Sequence, residues 1–237
     1  MNAESILGCP PFCRPDGSPV QDLEDKFRGR KAVLVCGGPS FLTVDHSLIR
    51  SSGLITMTLN DGVRTFRSDL WLGVDPPERF DSTIWEDARI TKFIPTGRAG
   101  DEHARRGVHV IVYPPSDAWC SEAIFSPTGT VAPFSRGDGA RTSMVDAIRV
   151  LFLLGFRTIY LFGVDFHQSR AHAYHHPAPG YPRRVRANNR LYRRLTERLA
   201  RMRPLMESAG LDVYNCNPDS RLEVFEKRDF PRGPAAE

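Results

Sequence analysis

Residues 31–40 read KAVLVCGGPS. The run Lys31–Cys36 has the length of a strand and is too short for a stable helix. It shows no polar alternation, so both of its faces are expected to be buried, as in a parallel sheet covered by helices on each side. Gly37-Gly38-Pro39-Ser40 then stops it abruptly. Glycine has no side chain, so the backbone there turns tightly and tolerates close approach by a ligand.

The pattern repeats outward from this stretch. Leu54–Leu59 ends at Asn60-Asp61-Gly62, Leu70–Val74 at Asp75-Pro76-Pro77, and Thr158–Phe162 at Gly163-Val164-Asp165-Phe166. Ile90–Ile94, Val108–Val112 and Asp212–Asn215 complete the expected strands. Asp45–Arg50 reads as a short helix, and Ser143–Leu154 as a helix apolar on nearly all sides and therefore buried. Asn188–Ala209 reads as a long basic helix that Pro204 can bend, and a short terminal helix is expected after Asn217-Pro218. Ser143 with Asp146 makes a capping-box pattern, and Gly155 makes a C-terminal stop.

Strands alternating with helices predict an α/β fold: a Rossmann-like parallel sheet flanked by helices, with a small His- and Arg-rich lid. The expected organisation is an extended lead-in over 1–30, a nucleotide-binding domain over 31–225 with the lid at about 167–203, and a tail over 226–237. Residues 113–139, rich in Pro and Gly, are too long for a plain connection.

A chain of 237 residues, 41% hydrophobic and 25% charged, can bury one large core. It contains no apolar run of about 18 residues, so no membrane helix is expected. The first residues lack a basic start followed by an apolar stretch, so no signal peptide is read and a cytoplasmic location is expected. Five scattered cysteines fit a reducing compartment. Cys9 and Cys13 have the opening spacing of a zinc site, but no second pair answers them; His175-His176 is a weaker candidate, and no metal is assigned.

In open parallel sheets, ligands bind beyond the carboxyl ends of the strands. The Gly37, Gly38, Pro39 and Ser40 turn suits a phosphate held by backbone amides of the following helix start, or is simply a tight turn. No Gly-Lys-Ser/Thr follows, which excludes a Walker loop. Asn60 can read a base or ribose, or serve only its Asn-Asp-Gly turn. Arg141, Thr142 and Ser143 combine a guanidinium, two hydroxyls and a positive helix end, suited to a diphosphate or carboxylate. His167, His172, His175 and His176, with Tyr174, form the densest titratable cluster, from which a general base is expected. From Arg183 to Arg203 there are nine arginines and one acidic residue, Glu197. They form a solvated helix face, a lid over phosphates, or a surface for an acidic acceptor or nucleic acid. A homo-oligomer is compatible with the sequence, which assigns no interface.

Three stretches together resemble a known superfamily. Val35-Cys36-Gly37-Gly38-Pro39-Ser40-Phe41 resembles the G-x-G-P-S-L turn of bacterial sialyltransferases and of the motility-accessory-factor family, which includes archaeal 6-hydroxymethyl-dihydropterin diphosphokinases. Ala140 to Phe166, ARTSMVDAIRVLFLLGFRTIYLFGVDF, resembles their second shared block, and Tyr214 to Pro218 resembles their closing strand. The resemblance spans roughly residues 31–225. It implies a nucleotide held by Gly38, Ser40 and Asn60 and by Arg141, Thr142 and Ser143. Of two tyrosines that bind the leaving phosphate in the sialyltransferases, the first matches His167, a departure, and the second matches Tyr174. Their base is a histidine in the lid, whereas residues 180–203 hold none. His172, His175 or His176 then takes that role, or the sialyl chemistry is absent. Asp75 resembles the motility-accessory and diphosphokinase group.

Three functions follow as expectations. The first is a glycosyltransferase moving a sugar from a nucleotide-sugar donor to a hydroxyl on a glycan or nucleic acid. The second is a diphosphokinase in which Asp75, with Asp165, places Mg²⁺ on ATP. The third is a non-catalytic nucleotide or nucleic-acid binder.

Overall fold

The computed structural model describes residues 11–113, 142–169 and 181–231, with the side chains of 181–184 excepted. Eight parallel strands form one sheet in the order β5-β4-β3-β2-β1-β6-β7-β8. They are β1 Lys31–Val35, β2 Ile55–Leu59, β3 Leu70–Leu72, β4 Thr91–Pro95, β5 Val110–Tyr113, β6 Thr158–Phe162, β7 Asp212–Asn215 and β8 Glu226–Lys227. The expected strands are all present; Thr158–Phe162 and Asp212–Asn215 have the expected bounds, and the other five are shifted by one or two residues at one or both ends. Among the described residues the α-helices are α1 His46–Ser51, α2 Thr83–Glu86, α3 Glu102–Arg106, α4 Ser143–Leu153 and α5 Tyr181–Ser208.

The unbroken apolar runs are explained by cover on both faces. Ala32 and Leu34 of β1, with Ile159 and Leu161 of β6, enter a core shared with α4 and with Leu195, Leu199, Met202 and Met206 of α5. Val33, Val35, Tyr160 and Phe162 face the other way, against Phe41, Ile49 and Phe66. This is period-2 alternation between two buried layers.

Four expectations are corrected. The cap of α4 is Thr142, whose hydroxyl accepts from the Val145 amide at 3.4 Å; Ser143 is already helical, so the Ser143/Asp146 capping box does not form. The basic helix begins at Tyr181, seven residues early, and continues through Pro204. Among the described residues no helix follows Pro218; turns lead into β8 instead. Lastly, residues 11–30 are not merely extended. Phe12 is fully buried, Cys13 pairs antiparallel with Val112 on the outer edge of β5, and Gln21–Leu23 forms a 3₁₀ turn. The amides of Asp25, Phe27 and Gly29 donate to the carbonyls of Leu153, Leu154 and Gly155. They satisfy carbonyls that the end of α4 leaves unpaired. Gly155 does stop α4: its φ is 99°, and Phe156 N–H reaches back to Leu151 O in a Schellman arrangement.

Candidate active site

The strand order changes direction at β1. Strands β2 to β5 lie on one side of it and β6 to β8 on the other. Loops leaving the carboxyl ends of β1 and β6 therefore diverge, and the crevice between them is where a doubly wound sheet accommodates a ligand. The glycine turn after β1 and the Gly163-Val164-Asp165 turn after β6 meet there. The Gly38 amide donates to Gly163 O at 2.8 Å, and Ser40 Oγ donates to Asp165 Oδ2 at 2.9 Å. The Ser40 amide reaches the same carboxylate oxygen at 3.4 Å, and Asn217 Nδ2 reaches Oδ1 at 3.5 Å.

This changes the expected phosphate cradle. Pro39–Thr43 is a single 3₁₀ turn, and its Phe41 amide returns to Gly38 O. The amides of Gly38 and Ser40 are already taken by the chain, so this turn fastens β1 to β6. Burial pushes the Asp165 carboxyl above its ordinary range, while the Ser40 hydroxyl and amide and nearby His167 pull it back. A carboxylate so engaged is a positioning group and not an exposed acid.

A donor set does remain on the β2 side of the crevice. Asn60 ends β2 in a left-handed conformation, φ 48°, with its carbonyl held by Trp71 Nε1 at 2.8 Å. Its side-chain oxygen accepts from the Val74 amide at 3.1 Å, and its Nδ2 lies 3.4 Å from Ser143 Oγ. Asn60 thus joins the ends of β2 and β3 to the start of α4. Among the described residues, the amides of Ser143 and Met144 in the first turn of α4 have no acceptor. With the positive end of the helix dipole, a corner of this kind suits an anion.

On the β6 side lies an open cavity of about 500 Å³ lined by Phe166, His167, Asn189, Tyr192, Thr196 and the arginines 186, 190, 193 and 221. Phe166 has φ 54°, unusual for an aromatic residue, and its ring stacks on Tyr192 at 5.1 Å. The chain beyond is fixed by Asn189, which accepts from the Gln168 amide at 2.8 Å and donates to its carbonyl at 2.9 Å. Asn188 Nδ2 donates to the Gln168 side-chain oxygen at 2.8 Å. His167 is therefore held between two anchored neighbours, beside the arginines.

Alignment with the sialyltransferase CstII from Campylobacter jejuni, whose structure holds the substrate analogue cytidine-5'-monophosphate, gives a TM-score of 0.51. Sequence identity is 13%, and the match covers 84% of this chain and 85% of that one. The fold is sialyltransferase-like. A MAf glycosyltransferase from Magnetospirillum magneticum AMB-1 aligns at TM-score 0.47 and 18% identity, over 90% of this chain and 35% of that one. A mammalian sialyltransferase in complex with Gal-beta-1-3GalNAc-ortho-nitrophenol aligns at 0.45 and 13%, over 89% and 76%. No protein-family model and no curated protein matches the sequence.

Within this sialyltransferase-like sheet, Gly37, Gly38, Pro39, Ser40, Asn60, Thr142, Ser143 and Asp165 gather around the crevice. Arg141, His172, Tyr174, His175 and His176 lie outside the described residues. Asp75 does not join Asp165. It follows β3, pairs with Arg79 at 2.7 Å, and three strand spacings separate the two strand ends, roughly 14 Å. The acidic pair expected to share one Mg²⁺ is not brought together. The lid also differs from expectation, because Leu195, Leu199 and Met202 anchor the middle of α5 in the core. Sequence reading missed Asn188, Asn189 and Asn217. The adjacent asparagines inside a basic helix were the available signal, since asparagine is a poor interior helix residue.

Proposed function

We propose that the protein is a glycosyltransferase that binds a nucleotide-activated sugar in the crevice beyond β1 and transfers the sugar to an acceptor hydroxyl. The observation that carries the reading is the meeting of Asn60 with Ser143 at the first turn of α4. A planar amide and a hydroxyl suit a nucleoside, and the helix start suits its phosphate. The fold match to an enzyme solved with a cytidine nucleotide supports the same class of donor.

In this reading the acceptor oxygen attacks the anomeric carbon of the donor. The bond from that carbon to the phosphate oxygen breaks, and its electron pair leaves with the phosphate. The imidazole of His167 takes the acceptor proton. Charge developing on the leaving phosphate is stabilised by preorganised donors, here the α4 amides and Ser143. Asp165 acts indirectly, by holding the turns of β1 and β6 together. In the diphosphokinase alternative Asp75 would place Mg²⁺ without Asp165.

Thermal unfolding with CMP, UDP, GDP and ATP tests the binding half, because a ligand of the folded state raises Tm. One nucleotide is expected to stabilise the protein, and less so in Asn60→Ala. The matching nucleotide sugars should then release free nucleotide in the presence of acceptor, with His167→Ala binding but not turning over. Absence of stabilisation by all four nucleotides would remove the proposal.

A further inference from the structure

The β6-side cavity carries a charge that nucleotide binding on the β2 side leaves unused. Arg186, Arg190 and Arg193 recur at helical spacing on one face of α5, and Arg221 comes from the turn after β7, so cations line the space from two elements. Among the described residues none of these four guanidinium groups has an ion-pair partner. Glu197, the acidic residue of this stretch, follows Arg193 by one turn and interrupts the row of arginines, which resumes at Arg201. From Arg186 to Arg193 that face is about 10 Å long. Such a span suits one or two anionic groups on a compact molecule, and a nucleic-acid backbone would need a longer track. The stacked Phe166 and Tyr192 rings add an apolar wall of the kind a sugar ring covers.

We propose that this cavity is the acceptor subsite and that the acceptor is an acidic saccharide, carrying a carboxylate or phosphate beside its nucleophilic hydroxyl. The arginines bind the fixed charge by paired N–H···O contacts. His167 lines the same cavity. This assignment rests on the glycosyltransferase reading for the word acceptor, but the anion site itself does not.

The test uses the full chain and three sugars sharing one ring: glucose, glucuronic acid and glucose 6-phosphate. Affinities are measured by ligand-observed NMR at constant ionic strength, with CMP measured separately. At least one acidic sugar is expected to bind about tenfold more tightly than glucose, and which one does so separates carboxylate from phosphate. In the double variant Arg190→Gln/Arg193→Gln that preference should vanish while CMP affinity and the ligand-free Tm stay unchanged. Both side chains are exposed, so the variant is expected to fold. Equal binding of all three sugars would overturn the inference and leave the donor proposal standing if CMP binds. A parallel loss of CMP in the double variant would overturn it too, by assigning the arginines to the donor phosphate. Tighter binding of a short oligothymidylate than of either acidic sugar would replace the saccharide with nucleic acid.

Discussion

A Cβ at Gly38 would fall within the Asp165 carboxylate and the Gly163 carbonyl, so even alanine forces the two turns apart. Gly38→Ala is expected to destabilise the protein by about 1–3 kcal/mol, as overpacking does. Chemical denaturation measures this, and a neutral result would show that the clasp is not tight. Lys92 is a second residue whose setting decides its chemistry. It is fully buried in β4, with Nζ donating to Asp87 O at 2.6 Å and Val108 O at 2.7 Å. Burial lowers its pKa from 10.5 to about 8, although Asp87 opposes this. The folded state thus holds the proton less tightly than the unfolded chain. Below about pH 8 the buried charge costs stability, and that cost is relieved as pH rises from about 8 towards 10.5. Stability of the wild type relative to Lys92→Met should climb between pH 7 and 10. Parallel curves in pH-dependent urea denaturation would contradict this.

At the scale of elements, α5 combines two roles along one helix. Its later turns are core, through Leu195, Leu199, Met202 and Met206, while its earlier turns present arginines to the cavity. Asn189 joins the roles by bonding both the amide and the carbonyl of Gln168. Asn189→Ala removes both contacts and should free the segment after β6, at a cost of about 1–3 kcal/mol. Hydrogen exchange at the Gln168 amide reads this locally, and unchanged protection there would mean that packing alone holds the segment. The reading of α5 from sequence placed its later turns correctly. It missed the first turns because Pro182 and the arginines carry no apolar periodicity.

For the whole molecule, the segment before β1 closes the structure. Phe12 packs edge-on against Phe93 at 5.7 Å, and Cys13 pairs with Val112 on the outer side of β5. An open strand edge invites association with other chains, and this pairing covers it. Phe12→Ala is expected to cost about 3–5 kcal/mol, as for other buried aromatic truncations. A loss of Tm accompanied by oligomers in light scattering would be the full signature. An unchanged Tm would mean that the segment is not part of the cooperative unit.

Strand identity, the two buried faces and the parallel sheet were legible in the chain, because runs such as Lys31–Val35 and Thr158–Phe162 leave no polar face for water. The crevice residues Gly38, Ser40, Asn60, Ser143 and Asp165 were legible as strand or helix ends. Their roles were not, because hydrogen-bond partners 83 to 125 residues away leave no local signature. The Ser40 to Asp165 bond spans 125 positions. Only the packed sheet decided that the glycine turn fastens β1 to β6, that Asp75 stands apart from Asp165, and that arginines from α5 and from the turn after β7 line one cavity. Periodicity reports which face a residue shows to the core, whereas strand order, which sets neighbours at the crevice, follows from the packing of the whole chain.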